Sequence, residues 1–359
     1  MARPPLILLF LSLLALAFVS GSTASLRKKV GIYELKKKDF SVKVTNWGAT
    51  ITSAVLPDSK GNLADVVLGY DGIGPYINDT TYFGGLVGRV ANRIARGRFV
   101  LDGKVYRLFI NNGINSLHGG HRGFSQVSWT VTEKVDGEFP YITLYYHSFD
   151  GEQGFPGDLD VYVTYKISSS YELSVYMNAT ALNKATPVNL AQHSYWNLGG
   201  HDSGTILSHS VQIFGDEYTP VDGNLIPTGK IIPVSGTPYD FRRPMMVGSR
   251  IQELTYGYDL NYVLNSPRNF DGMREVAVVS DARSGRELKI WSNQPGVQFY
   301  TGTYLSNVTG KGGYVYGKYA GLCLETQDFP DAVNHPNFPS EIVNPGEVYK
   351  HNMVYKFNF

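Results

Sequence analysis

The sequence predicts an all-β fold, a large antiparallel β-sandwich with very little helix. Three observations carry this. Alternating apolar and polar runs recur with turn signals every eight to twelve residues. The chain holds 25 Tyr, 18 Phe and 39 Gly, a balance that suits strands joined by turns. Heptad-like stretches are few, and "GSRIQELT", near 248–255, is the best helix candidate at only two turns.

Hairpins follow in chain order. In "GRFVLDGKVYRL", Asp102-Gly103 is a two-residue turn signal between alternating runs. "SWTVTEKV" answers "YITLYYHSF". In "VYVTYKISSSYELSVYMNATAL", Val161, Val163, Tyr165 and Ile167 face Leu173, Val175 and Met177, and "REVAVVSD" pairs with "RELKIWSN". Such short connections demand antiparallel pairing. Neither linker, charge block nor fixed-period repeat interrupts the pattern, so one domain over 25–359 is expected, folded as a sandwich or barrel to bury its faces.

The opening "MARPPLILLFLSLLALAFVSGSTASLRKK" has an early arginine, an apolar run from Leu6 to Phe18 and then small residues. This is the pattern of a secretory signal peptide over residues 1–24, with cuts available after Gly21 or Ala24. The run is shorter than the roughly 20 residues a membrane-spanning helix needs. Secretion would expose three sequons, at Asn78, Asn178 and Asn307, to glycosylation. Cys323 is the only cysteine, so no internal disulfide forms and the core alone must hold the fold; a small buried role suits it. With 32 basic against 31 acidic residues, interspersed, nothing points to a nucleic-acid or anionic-membrane partner. The Lys36, Lys37, Lys38 run reads as a solvated turn.

Four segments place polar residues among apolar or glycine-bounded ones. "GGLVGRVANRIARGRF" offers Asn92 and Arg93, which could grip hydroxyls or steady an anion, although Arg89, Arg96 and Arg98 also allow a plain basic surface loop. In "NNGINSLHGG", His118 precedes two glycines that permit tight turning. "TPVNLAQHSYWNLGG" sets His193 among amides and aromatics, the pairing of polar groups and apolar faces that a sugar needs; Trp196 or a neighbouring aromatic is expected to supply the apolar wall. In "GLCLETQDFPDAVNHPNFP", alternation puts Gly321, Cys323, Glu325 and Gln327 on one strand face and Leu322, Leu324 and Thr326 on the other. Glu325 then belongs either to a wetted edge face or to the mouth of a cleft rimmed by Phe329, Pro330, Pro336, Phe338 and Pro339.

The sequence has no metal-ligand spacing, no phosphate-binding or dinucleotide loop and no nucleophile elbow. Neither a metal nor a cofactor is expected. What remains is proton transfer by carboxylate and imidazole.

The segments "GRVANRI", "NNGINSLHGG", "DGEQGFPGDL", "TPVNLAQHSYWNLGG", "GVQFYTG" and "ETQDFPDAVNHPNFP", in this order, resemble the aldose 1-epimerase (galactose mutarotase) family, and the likeness runs from about Lys29 to Phe359. The resemblance implies the galactose mutarotase-like supersandwich, an open cleft, no cofactor, and exchange of the α and β anomers of free aldohexoses such as glucose and galactose. It implies Glu325 as base, His193 as acid, His118 as a hydrogen-bonding partner of the ring, and Asn92, Arg93, Asp259 and Gln298 as substrate-binding groups. In "GYDLNYVL", Leu260 follows Asp259 where many members carry histidine, a departure that bears on sugar preference rather than on proton transfer. A silent carbohydrate-binding protein on the same fold, or an epimerase of phosphorylated sugars, are the competing readings; the second would want a basic phosphate cluster and a cytosolic address. Oligomeric state is not legible in the sequence.

Overall fold

The computed structural model describes residues 29–359. The expected signal peptide, with both cut positions, lies outside them. Three antiparallel sheets do most of the building. A nine-stranded sheet runs in the spatial order Thr130–Val135, Tyr141–Ser148, Leu159–Ser169, Glu172–Ala181, Val348–Asn358, Glu287–Ser292, Arg274–Ser280, Ser210–Ile213 and Met245–Met246. A four-stranded sheet is made from Ile32–Lys37, Phe40–Thr45, Thr50–Pro57 and Leu63–Asp65, and a five-stranded sheet from Ile232–Pro233, Glu217–Thr219, Asp259–Val263, Gly296–Tyr300 and Cys323–Gln327. The helical pieces among the described residues are 3₁₀ turns of three to five residues; "GSRIQELT" contributes to two of them, Val247–Ser249 and Ile251–Glu253.

The expected hairpins form. Asp102 and Gly103 both have positive φ (50° and 74°), the backbone of a type I′ turn, and join Arg98–Leu101 to Lys104–Arg107. Across Leu159–Ser169 and Glu172–Ala181 the pairs are Val163↔Met177, Tyr165↔Val175 and Ile167↔Leu173, all buried on one face. That face meets inward residues of the other sheets, including Val44, Ile51 and Ala54 on one side and Leu260, Tyr262, Val297, Phe299 and Leu324 on the other, in one contiguous core. Polar contacts fix how the layers sit. Tyr165 donates its hydroxyl to the Ala49 carbonyl at 2.6 Å. The buried Arg286 guanidinium donates to the carbonyls of Leu56, Pro57, Asn62 and Leu198, so its charge is spread over acceptors instead of a carboxylate.

Some expectations change here. Arg89 is not part of a surface basic loop: it is buried and donates to the carbonyls of Pro156 and Gly157 and to the hydroxyls of Thr186 and Ser148, whereas Arg96 and Arg98 are exposed. Trp196 packs into the main core against Tyr355 and Phe357, at 5.0 and 5.6 Å between ring centroids, so it is not a cleft wall. Leu260 also faces the core. Period-two alternation turns it away from Asp259, its neighbour, and it is only 5 % exposed among Tyr262, Val297 and Phe299. It therefore has no direct route to sugar preference. Leu260→Ala should lower unfolding free energy by ~2–5 kcal/mol in urea denaturation, while relative rates on different sugars stay as in the parent protein.

Candidate active site

The cleft face of the five-stranded sheet is set by register. Asp259 pairs with Tyr300 and Tyr300 with Cys323; Asn261 pairs with Gln298 and Gln298 with Glu325. Adjacent rows on one sheet face thus carry an aspartate, an amide and a glutamate, while the alternate residues fill the core. Over this face opens a cleft of about 550 Å³. Its lining includes all seven site residues that the family resemblance implies: Asn92, Arg93, His118, His193, Asp259, Gln298 and Glu325. Glu325 is 2 % exposed and sits on the floor, so neither a wetted edge nor the mouth describes it. The segment after it is not the rim. Phe329 and Phe338 pack with Ala332 in a small cluster of their own, Pro336 and Pro339 are exposed, and only Pro330 reaches a side recess beside Arg93 and Asp259. That loop braces the site from behind, because the Asp331 carboxylate accepts the backbone N–H of Ala95.

His193 follows Ala191–Gln192, which pairs with Leu86–Val87. Its N–H donates to Gly85 O and its carbonyl accepts from Gly84 N–H, at 2.9 and 3.0 Å, and the Gln192 side chain donates to Gly84 O. The imidazole is thereby carried on a doubly tied backbone. His118 comes from the turn after Ser116–Leu117, whose partner is Arg93–Ile94. Its N–H donates to Asn92 O, and the Asn92 N–H donates back to His118 Nδ1 at 3.1 Å. Gly119 must be glycine: φ is +83°, and a Cβ there would stand 1.8 Å from Gly88 O.

Because His118 Nδ1 accepts a hydrogen bond, the neutral ring carries its proton on Nε2 and presents a donor to the cleft. This also decides the question of a metal. His118, His193 and Glu325 bring ligand atoms within 4.8 Å of one another, but a protonated Nε2 is not a ligand, so the donor set does not fit an ion without giving up the Asn92 bond.

His193 Nε2 lies 3.6 Å from Glu325 Oε1. Gln298 donates to Asp259 Oδ1 at 2.6 Å, and Arg93 Nε to Asn112 Oδ1 at 3.1 Å. Glu325 Oε2 and Gln298 Oε1 are buried acceptors with no hydrogen-bond partner among the described residues. Burial raises the Glu325 carboxyl well above the usual range, the nearby Asp259 adds to this, and Arg93 opposes it. Burial pulls His193 down to about 4. His118 is held well below its ordinary value by burial, then by His193 and Arg93, and burial raises Asp259 against the pull of Arg93. Burial thus favours the neutral carboxylic acid beside the neutral imidazole over the ionised pair.

Sequence reasoning missed several lining residues: Tyr82, Asn112, Tyr300, Tyr304 and the 223–225 tip. Tyr300 was within reach, since it stands two residues beyond Gln298 on the same strand face. Tyr195, the aromatic next to Trp196, lines the cleft where Trp196 does not.

The chain matches the family model described as aldose 1-epimerase over residues 31–356. It is 45 % identical to the galactose mutarotase of Mus musculus over 328 residues, covering 91 % of this chain and 93 % of the relative. It is 35 % identical to the aldose 1-epimerase of Escherichia coli (strain K12) over 323 residues, 88 % and 91 % of the two chains. Among solved structures, an aldose epimerase homologue from C. elegans superposes with a TM-score of 0.86 at 29 % identity, over 92 % of this chain and 99 % of that one.

The displaced carboxyl has a stability consequence. A folded-state proton affinity above the unfolded one means that the native form binds the proton more tightly, so stability is full below the unfolded value and falls as pH rises through the folded one. Glu325→Gln removes this loss. Its melting temperature should exceed the parent's, with a gain that grows from pH 5 to pH 9 in calorimetry; a gain that shrinks with pH would contradict the buried-carboxyl assignment.

Proposed function

The chain belongs to the aldose 1-epimerase family and is an isomerase acting on carbohydrates, and from that premise we propose that Glu325 and His193 carry the proton transfers for free aldohexoses such as glucose and galactose. The observation that carries the reading is the buried pair, 3.6 Å between Nε2 and Oε1, inside a cleft lined with hydrogen-bonding groups. Ring opening starts with Glu325 ionised and His193 protonated. Glu325 takes the proton of the C1 hydroxyl, His193 gives its Nε2 proton to the ring oxygen, and the C1–O5 electron pair moves to oxygen as C1=O1 forms. The open chain is then flanked by a neutral carboxylic acid and a neutral imidazole. Rotation about C1–C2 presents the other aldehyde face. On reclosure His193 takes the proton from the C5 hydroxyl as its oxygen attacks C1, and Glu325 returns its proton to O1. Each group can contribute roughly 10²- to 10⁴-fold.

The remaining groups orient and neutralise. His118 donates from Nε2, in keeping with its tautomer. Arg93, steadied by Asn112, offsets the carboxylates, and Asp259 with Gln298 and Asn92 binds hydroxyls. Substrate hydroxyls, together with Arg93 acting on Glu325, favour the ionised carboxylate over the neutral form that burial prefers.

Extracellular placement belongs to the same proposal. The apolar leader supports it, and Asn78 and Asn307 are exposed while Asn178 is half-buried within the nine-stranded sheet.

Glu325→Gln should lower turnover by at least ~10²-fold with sugar still bound, and His193→Asn likewise. The double variant should be far less than multiplicatively worse. Rate in the parent should follow pH as a bell: at low pH both groups are protonated and no base remains, and at high pH the shared proton is lost. Polarimetry on fresh α-D-glucose and α-D-galactose reads all of these, and near-normal turnover in folded Glu325→Gln would leave a binding protein as the better account. Export is checked separately by sequencing the N-terminus of extracellular protein, expected near residue 22 or 25 on the cuts above, and by the mass lost on enzymatic deglycosylation.

A further inference from the structure

An acid that must be an imidazolium in every turnover sits where a cation is poorly solvated: His193 is only 4 % exposed. The groups facing it are Glu325 and Cys323 from Cys323–Gln327, the latter with Sγ 3.7 Å from Nδ1, the edge of the His118 ring at 5.2 Å, and two tyrosines. Glu325 supports the charge only while ionised, and Arg93 and a protonated His118 oppose it.

The tyrosines have no part in the proton bookkeeping, yet their placement is specific. Tyr195 lies 5.2 Å from the His193 ring at 28°, and Tyr82 lies 5.8 Å away at 29°. Both are near-parallel and within the ~6 Å over which an aromatic face attracts a cation. The two are tied together, because the Tyr195 hydroxyl donates to the carbonyl of Thr81 at 2.8 Å. Tyr82 also meets His118 edge-on at 4.6 Å. Its backbone φ is +60°, a left-handed conformation that glycine or asparagine fills with less strain.

We propose that Tyr82 and Tyr195 are positioning residues for the acid: their ring faces hold the His193 imidazole in the orientation that points Nε2 at Glu325, and stabilise its positive charge when it is protonated. This rests on the reading of His193 as the acid. The hydroxyl of Tyr82 is not needed for it; the electron-rich face is.

Tyr82 is the one to vary, since it is partly exposed and Tyr195 is core-like. Tyr82→Phe should keep kcat within about 3-fold. Pentafluorophenylalanine at the same position keeps the ring's shape, and so its packing, but reverses its electrostatic face. It should lower kcat by about tenfold relative to Phe with KM changed less than about 2-fold, and move the acid limb of the kcat profile to lower pH, because the imidazolium has become harder to form. In a His193→Asn background the fluorinated ring should have no effect on residual activity. If the fluorinated and Phe proteins have equal kcat and coincident pH profiles, the inference is overturned, and a kcat loss without a shifted limb overturns it equally. Full activity in His193→Asn alone would instead remove the acid assignment on which it stands, so the two failures are distinguishable.

Discussion

Three short strands, Asp259–Val263, Gly296–Tyr300 and Cys323–Gln327, must pair in one register for Asp259, Gln298 and Glu325 to face the same way. A slip by a single residue would send Glu325 into the apolar core and bring Leu324 into the cleft. Nothing within the strands themselves is long enough to hold that register against alternatives, so it is held by the core face: Leu260, Val297, Phe299 and Leu324 lose water together only in this alignment. Polar chemistry on one side is thus specified by apolar packing on the other. The histidines arrive from elsewhere, on loops whose backbones are each hydrogen-bonded to the 84–92 segment, which lets the cleft be polar without being soft.

The interior of this cleft is expensive to keep. Burial works against ionised Glu325 and against protonated His193, and Asp259 adds a second carboxyl nearby. A hydrophobic replacement of the pair would cost the fold less. On the roles proposed for them, what the arrangement gains is an acid and a base 3.6 Å apart, so that opening and closing a sugar ring passes protons between substrate and protein with no excursion into solvent. Backbone strain adds to this: Tyr82, Asn92, His118 and Leu225, all lining the cleft, are non-glycine residues with positive φ, as are residues elsewhere in the fold.

Much of this was legible before any coordinates. The period-two runs and the Asp102-Gly103 turn announced the hairpins because their determinants are local. Glu325 was conspicuous because a carboxylate interrupts an apolar strand, and the same alternation, applied to Asp259, places Leu260 on the opposite face. What could not be read is what depends on distant packing. Trp196 and Tyr195 are adjacent, yet one enters the core and the other the cleft, and only the sheets around them decide which. Arg89 and Arg93 share one short basic segment, but Arg89 satisfies buried carbonyls and Arg93 serves the cleft. The left-handed backbone of Tyr82 leaves no mark in the sequence, because the residue type that would advertise it is absent.

The strand Val348–Asn358 lies in the interior of the nine-stranded sheet, between Glu172–Ala181 and Glu287–Ser292. On the ribosome it is made after both of them. Until it emerges, the growing chain carries two unpaired sheet edges lined with main-chain donors and acceptors, and it cannot complete the barrier between core and solvent. Pairing of this sheet therefore waits for that strand, which joins Glu172–Ala181 to Glu287–Ser292 across a sequence separation that slows the step.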